Sequence, residues 1–101
     1  MKRIIDGKRY DTATAECVAY VGNDYNRGDF KRESTHLYRS NKGAWFVAGN
    51  GGPLSRWARM AGNMWTDGEG IEAVTPHEAR MLLEAHNETA EIERWFEIEE
   101  A

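Results

Sequence analysis

"THLYRSNKGAWFVAG", residues 35–49, decides the fold. Two runs rich in aromatic and aliphatic side chains, residues 35–40 and 44–49, are separated by three residues ending in Gly43. That spacing is the signature of an antiparallel hairpin whose glycine takes the left-handed position of the turn.

Outward from this hairpin toward the start, "RIIDGKRYD" (residues 3–11) gives two short extended pieces around Asp6-Gly7, a tight-turn dipeptide, and predicts a small opening hairpin. "TATAECVAYV" (residues 12–21) follows. Asp11 and Thr12 can offer oxygens to the free amides of a helix start, and Ala15, Val18 and Ala19 fall at i, i+3 and i+4. With Gly22 and Asn23 closing it, this segment is expected to be an N-terminal helix. The polar stretch 23–34 then connects to the central hairpin and carries Arg27, Lys31 and Arg32 among Tyr25 and Phe30.

Toward the other end, "AGNGGPLSRWARMAGNMW" (residues 48–65) reads as a glycine-rich connection and "GEGIEAV" (residues 68–74) as a short strand. In "TPHEARMLLEAHN" (residues 75–87), Thr75 and Glu78 form a capping box with Pro76 at the first helical position. Ala79, Leu82, Leu83 and His86 share one face, and Asn87 can close this helix and open the next, on which Ile92, Trp95 and Phe96 form a stripe. The fold class expected is α+β in one domain spanning residues 1–101: a small, mostly antiparallel sheet with an N-terminal helix and a C-terminal helix pair packed beside it.

Composition bounds what such a domain does. A chain of 101 residues, 41% hydrophobic and 30% charged, with four Trp, four Tyr and three Phe, can bury one modest core. Its longest apolar runs, "CVAYV" and "AWFVA", are far short of a membrane span, and "MKRIIDGKRYD" lacks the apolar segment of a secretory signal. The single cysteine, Cys17, provides no disulfide framework, so a cytoplasmic location is expected.

Net charge is −4, unevenly spread. Residues 1–66 hold eleven Lys and Arg against six Asp and Glu, giving +5, while residues 67–101 hold two against eleven, giving −9. Such polarity bears on partners and association rates.

Signals for catalysis are weak. "GNGGPLSRW" has the glycines of a phosphate loop but no Lys followed by Ser or Thr, and Pro53 removes an amide, so it is expected to be a structural turn. "HEARM" carries Met81 where a zinc-protease pattern requires its second His, and His77, His86 and His36 show no shared ligand spacing. Cys17, near the start of the expected helix, could have its pKa lowered by the helix dipole, though a packing role is simpler. Ser34, Ser40 and Ser55 lack a nucleophile elbow. No enzyme, metal or cofactor is expected.

Three stretches together, "GKRYDTATAE", "LYRSNKGAWFVAGNGGP" and "VTPHEARMLLEAH", resemble a group of small bacterial and phage-associated proteins. The group has a Tyr-Asp-Thr-x-Thr-Ala-Glu opening, a Leu-Tyr-Arg hairpin and a Gly-Gly-Pro turn, and it brings no catalytic residues to Tyr10, Asp11, Leu37, Tyr38 or Gly52. Small acidic proteins of this kind from mobile elements resemble inhibitors of host defence such as anti-CRISPR proteins.

Two surfaces are candidates for binding. Glu84, Glu88, Glu91, Glu93, Glu97, Glu99 and Glu100 lie within 17 residues, offset within that span only by Arg94, and would suit a basic groove on a host protein, including one of a nucleic-acid-binding effector complex. Arg27, Lys31 and Arg32, with Arg56, Trp57 and Arg59, would instead contact nucleic-acid phosphates while Trp57 stacks on a base. A third expectation is self-association through an exposed part of the Ile92, Trp95 and Phe96 stripe. The first reading leads: a small non-catalytic inhibitor acting on a host protein through acidic charge.

Overall fold

The computed structural model describes residues 1–26 and 28–101. Its element order is β1 (Lys2–Ile5), β2 (Lys8–Asp11), β3 (Glu16–Tyr20), β4 (Glu33–Arg39), β5 (Trp45–Gly51), β6 (Arg59–Ala61), β7 (Met64–Thr66), β8 (Gly68–Val74), α1 (Pro76–Ala85) and α2 (Thr89–Trp95). The α+β class is observed, with antiparallel sheets and the two helices at the C-terminal end.

The decisive hairpin forms as its sequence dictates: β4 pairs with β5 from Glu33↔Gly51 to Arg39↔Trp45, and Gly43 sits at φ 90°. A four-stranded antiparallel sheet grows around it in the order β3-β4-β5-β8. Five consecutive β5 residues, Trp45 to Gly49, are buried. Both faces of this inner strand are covered, which explains a run of apolar residues without alternation. Trp45 and Val47 face α1 and α2, in a core with Val18, Val21, Leu37, Ala79 and Leu83. Phe46 and Ala48 face the other way, onto Tyr10 and Ile71. There the β1–β2 hairpin, turning at Asp6 (φ 51°) and Gly7 (φ 77°), closes the second layer, and the Arg3 guanidinium donates to Ile71 O at 2.7 Å.

The expected N-terminal helix is instead a strand. The Asp11 carboxylate accepts from the Ala13 amide at 2.9 Å, but what it caps is a turn across residues 12–14, where Thr14 and Ala15 amides reach Asp11 O. The chain then pairs with β4. Cys17 lies opposite Tyr38 and Ala19 opposite Leu37, so Val18 is an extra residue, a β-bulge. The bulge places buried Val18 and Val21 three residues apart, a spacing that imitates a helical face.

The connection 52–58 leads into a feature that the glycine-rich composition of the stretch obscured. After it, β6 and β7 form a small two-stranded ribbon, Ala61 opposite Met64, turning through Gly62 (φ 63°) and Asn63. Gly-Asn as a two-residue turn was its local signal.

The C-terminal helices follow their caps. The Glu78 amide donates to Thr75 Oγ1 at 3.1 Å and the Thr75 amide donates to Glu78 Oε1 at 2.9 Å. Asn87, at φ 54°, closes α1: its amide reaches Glu84 O at 3.1 Å and the Glu88 amide reaches Leu83 O at 3.0 Å. These two bonds satisfy carbonyls that a helix end leaves free. The residue preceding α2 is Glu88, without a side-chain cap. His86 anchors α1 to the end of β3, with Nδ1 3.0 Å from Leu82 O and Nε2 2.8 Å from Gly22 O.

Candidate binding surfaces

The acidic residues are spread over the helix pair and the segment after it, with Glu84 on α1, Glu88 between the helices, Glu91 and Glu93 on α2, and Glu97, Glu99 and Glu100 beyond its end, and they are not equivalent. Glu84 is paired with Arg80 at 3.4 Å. Glu91 is bound inward: its Oε2 accepts from Trp95 Nε1 at 3.0 Å and lies 3.8 Å from Arg94. Arg94 in turn reaches Glu16 of β3 at 2.7 Å. Glu93, Glu97, Glu99 and Glu100 are exposed and Glu88 half-buried, and none of the five is within ion-pair distance of a cation among the described residues.

α2, which carries Glu91 and Glu93, is held by aromatic packing. Trp45 stacks on Phe96 (5.5 Å, 16°) and meets Trp95 edge-on (5.9 Å, 87°). The Arg39 and Arg94 guanidiniums lie 4.6 and 4.4 Å from the Trp95 ring centroid. The Ile92, Trp95 and Phe96 stripe is therefore directed onto the core and half-buried there. Only its half-exposed edge is left to carry the self-association reading.

Among the described residues, the Arg and Trp of the second surface are mostly taken up by contacts within the fold. Trp57 is 5% exposed and its Nε1 donates to Thr35 Oγ1 at 2.8 Å, so its ring is part of the core and has no free face for a base. Arg56 is tied to Glu72 at 2.6 Å and lies over the Trp57 ring. Arg32 and Arg59 do share a shallow cleft, but Asp67 and Glu69 line it too, and Arg32 donates to Asn50 Oδ1 at 3.1 Å. Lys31 is exposed, and Arg27 lies outside the described residues.

The glycine-rich connection is consumed by its own hydrogen bonds. The Gly52 amide reaches Arg32 O at 2.8 Å, the Leu54 amide Phe30 O at 2.8 Å, and the Ser55 amide Gly52 O at 3.0 Å. Ser55 Oγ accepts from the Trp57 amide at 3.2 Å. These amides are spent, so the stretch is a structural turn anchored by Trp57 and not a phosphate cradle.

Its second tryptophan behaves differently. Trp65 is 58% exposed on the β6–β7 ribbon, opposite Met60, with Met64 also exposed. It is the most exposed of the four tryptophans, which the reading of residues 48–65 as a glycine-rich connection did not single out.

Cys17 lies in β3, not at a helix start, and partial burial raises its thiol pKa, with the Tyr38 hydroxyl offsetting part of the effect. Among the described residues no three His, Cys, Asp or Glu side chains gather as metal ligands, and no helix is long and apolar enough to cross a membrane. No protein-family model matches the chain, and neither a curated protein nor a solved structure is detectably similar to it.

Proposed function

We propose that this chain is a non-catalytic protein-binding module whose acidic C-terminal surface occupies a basic groove on a partner, as an anti-CRISPR-like inhibitor from a phage or mobile element would. The observation supporting it is the imbalance of charge over the helix pair and the segment that follows it. Glu88, Glu93, Glu97, Glu99 and Glu100 lack a cation partner among the described residues, whereas Arg80 and Arg94, the cations of the two helices, are already engaged. Like charges left close together cost stability, and a cationic partner relieves that cost while speeding encounter.

The test is capture of a partner from host lysate, with and without nuclease, by the protein and by a Glu93→Lys/Glu97→Lys variant. Glu91 is left unchanged because it holds Trp95. Capture that survives nuclease and disappears on charge reversal, with the melting temperature preserved, is the expected result. Capture indifferent to the reversal removes the acidic surface from the account.

The exposed pair Met60 and Trp65 supports a second contact, since an aromatic and a methionine on a projecting ribbon are typical anchors of protein interfaces. Capture lost in Trp65→Ala but kept on charge reversal assigns binding to that ribbon. Direct nucleic-acid binding has less support, because the tryptophan meant to stack is buried.

A further inference from the structure

The acidic surface leaves unexplained the basic start of the chain. Between the β1–β2 hairpin and the β4–β5 turn lies a cleft of about 630 Å³, larger than the clefts of about 400 Å³ beside Arg32 and Arg56. Its size falls in the range of small-ligand sites, roughly 300–1,000 Å³. One wall is the segment Gly7 to Tyr10 with Thr14, and the other is the turn Ser40 to Lys42 with Ala44.

Three features of the lining point to an anion. Lys8 and Arg9 from one wall and Lys42 from the other flank it, and no carboxylate lines it. None of these three cations has an ion-pair or hydrogen-bond partner among the described residues, unlike Arg56, Arg80 and Arg94. Finally, Tyr10 forms part of the floor at 7% exposure, and its hydroxyl makes no hydrogen bond among the described residues. The hydroxyl is not sealed off: among the described residues the one fully buried side-chain polar atom without a partner is Arg80 Nε, so the Tyr10 oxygen keeps contact with solvent and its proton is free to donate into the cleft that the residue lines. Its ring is fixed edge-on against Phe46 at 5.4 Å, so it lacks freedom to swing out.

We infer that this cleft binds a phosphate monoester of a small molecule, of the size of a sugar phosphate or mononucleotide. Lys8, Arg9 and Lys42 supply charge-assisted hydrogen bonds to the phosphate oxygens, and Tyr10 supplies the donor at the floor. Thr14 and Ser40 offer hydroxyls beside it; Ser40 Oγ accepts from the Ala44 amide at 3.0 Å and keeps its own proton to donate. Tyr10 is too enclosed to stack on a base, which favours a compact ester over a single strand of nucleic acid.

Amide spectra recorded during titration with glucose 6-phosphate, adenosine monophosphate and a 15-nucleotide single-stranded DNA test this. Saturable shifts confined to residues 7–10, 14 and 40–44 with either monoester are expected. Lys8→Ala/Lys42→Ala should weaken binding at least tenfold. Tyr10→Phe should weaken it several-fold with the melting temperature unchanged, since the hydroxyl has no partner to lose in the free protein. Shifts absent at 10 mM of both monoesters, shifts elsewhere, shifts with the oligonucleotide alone, or full affinity in the double variant would each overturn the assignment.

Discussion

The indole of Trp57 donates to Thr35 Oγ1 across 2.8 Å, and both residues are buried, 22 positions apart in the chain. The Thr35 hydroxyl in turn donates to Glu33 Oε2 at 2.8 Å, so one hydroxyl serves a donor and an acceptor at once. This bond fixes the connection after β5 onto the middle of β4.

Thr35→Val keeps the shape but leaves the Trp57 N–H buried without an acceptor. An unsatisfied buried donor costs about 1–3 kcal/mol, so the urea midpoint should fall with little change of slope, and Thr35→Ser should recover most of the loss. A Thr35→Val midpoint equal to that of the parent protein would show that the bond does not hold the connection.

Trp95 is the corresponding tie for α2. Its ring is contacted by two guanidiniums and by Trp45, and its N–H by Glu91. In Trp95→Ala the helix should separate from the sheet before the rest unfolds, because it is only seven residues long and a helix that short is not stable alone. Hydrogen exchange at residues 89–96 is expected to approach the rate of free peptide while β4 and β5 stay protected. Uniform loss of protection across both regions would instead make α2 part of one cooperative unit.

What could be read in advance divides along the range of the interaction involved. The 35–49 hairpin and α1 were legible because Gly43 and the Thr75–Glu78 box act within a few residues. The segment 12–21 was not: the Val18 bulge is imposed by pairing with β4, and it converts the two-residue period of a strand into a three-residue one. Depth was equally hidden. Trp57 and Trp65 sit in the same glycine-rich stretch, yet one lies at 5% exposure and the other at 58%, because only Trp57 finds Thr35 opposite it. Of the seven glutamates, the number was readable, and so was the four-residue spacing that joins Glu84 to Arg80 within α1 and Glu91 to Trp95 within α2, whereas the contact of Arg94 with Glu16 of β3 depends on how α2 docks.

Asn87 ends α1 in a left-handed conformation, φ 54°, which glycine and asparagine tolerate and branched side chains do not. Asn87→Gly should therefore leave stability unchanged or slightly raised, and Asn87→Val should lower it by about 1–2 kcal/mol. Thermal unfolding of the pair checks this. Equal melting temperatures for the two variants would mean that the turn between α1 and α2 adopts another conformation in solution.

Glu78 makes the start of α1 sensitive to acid. The Thr75 backbone amide, and with it the Thr75 side chain, holds the Glu78 carboxyl below its ordinary value near 4.5. A carboxyl depressed in the folded state stabilises fully above its unfolded pKa, and that contribution is lost as pH falls through the folded value. The difference in melting temperature between the parent protein and Glu78→Gln should accordingly be greatest near neutrality and shrink below about pH 4.5. A side-chain carbon titration should place the Glu78 midpoint below the ordinary value near 4.5. A Glu78 midpoint at or above it, or a stability difference that does not change with pH, would show that the reciprocal cap does not form in solution.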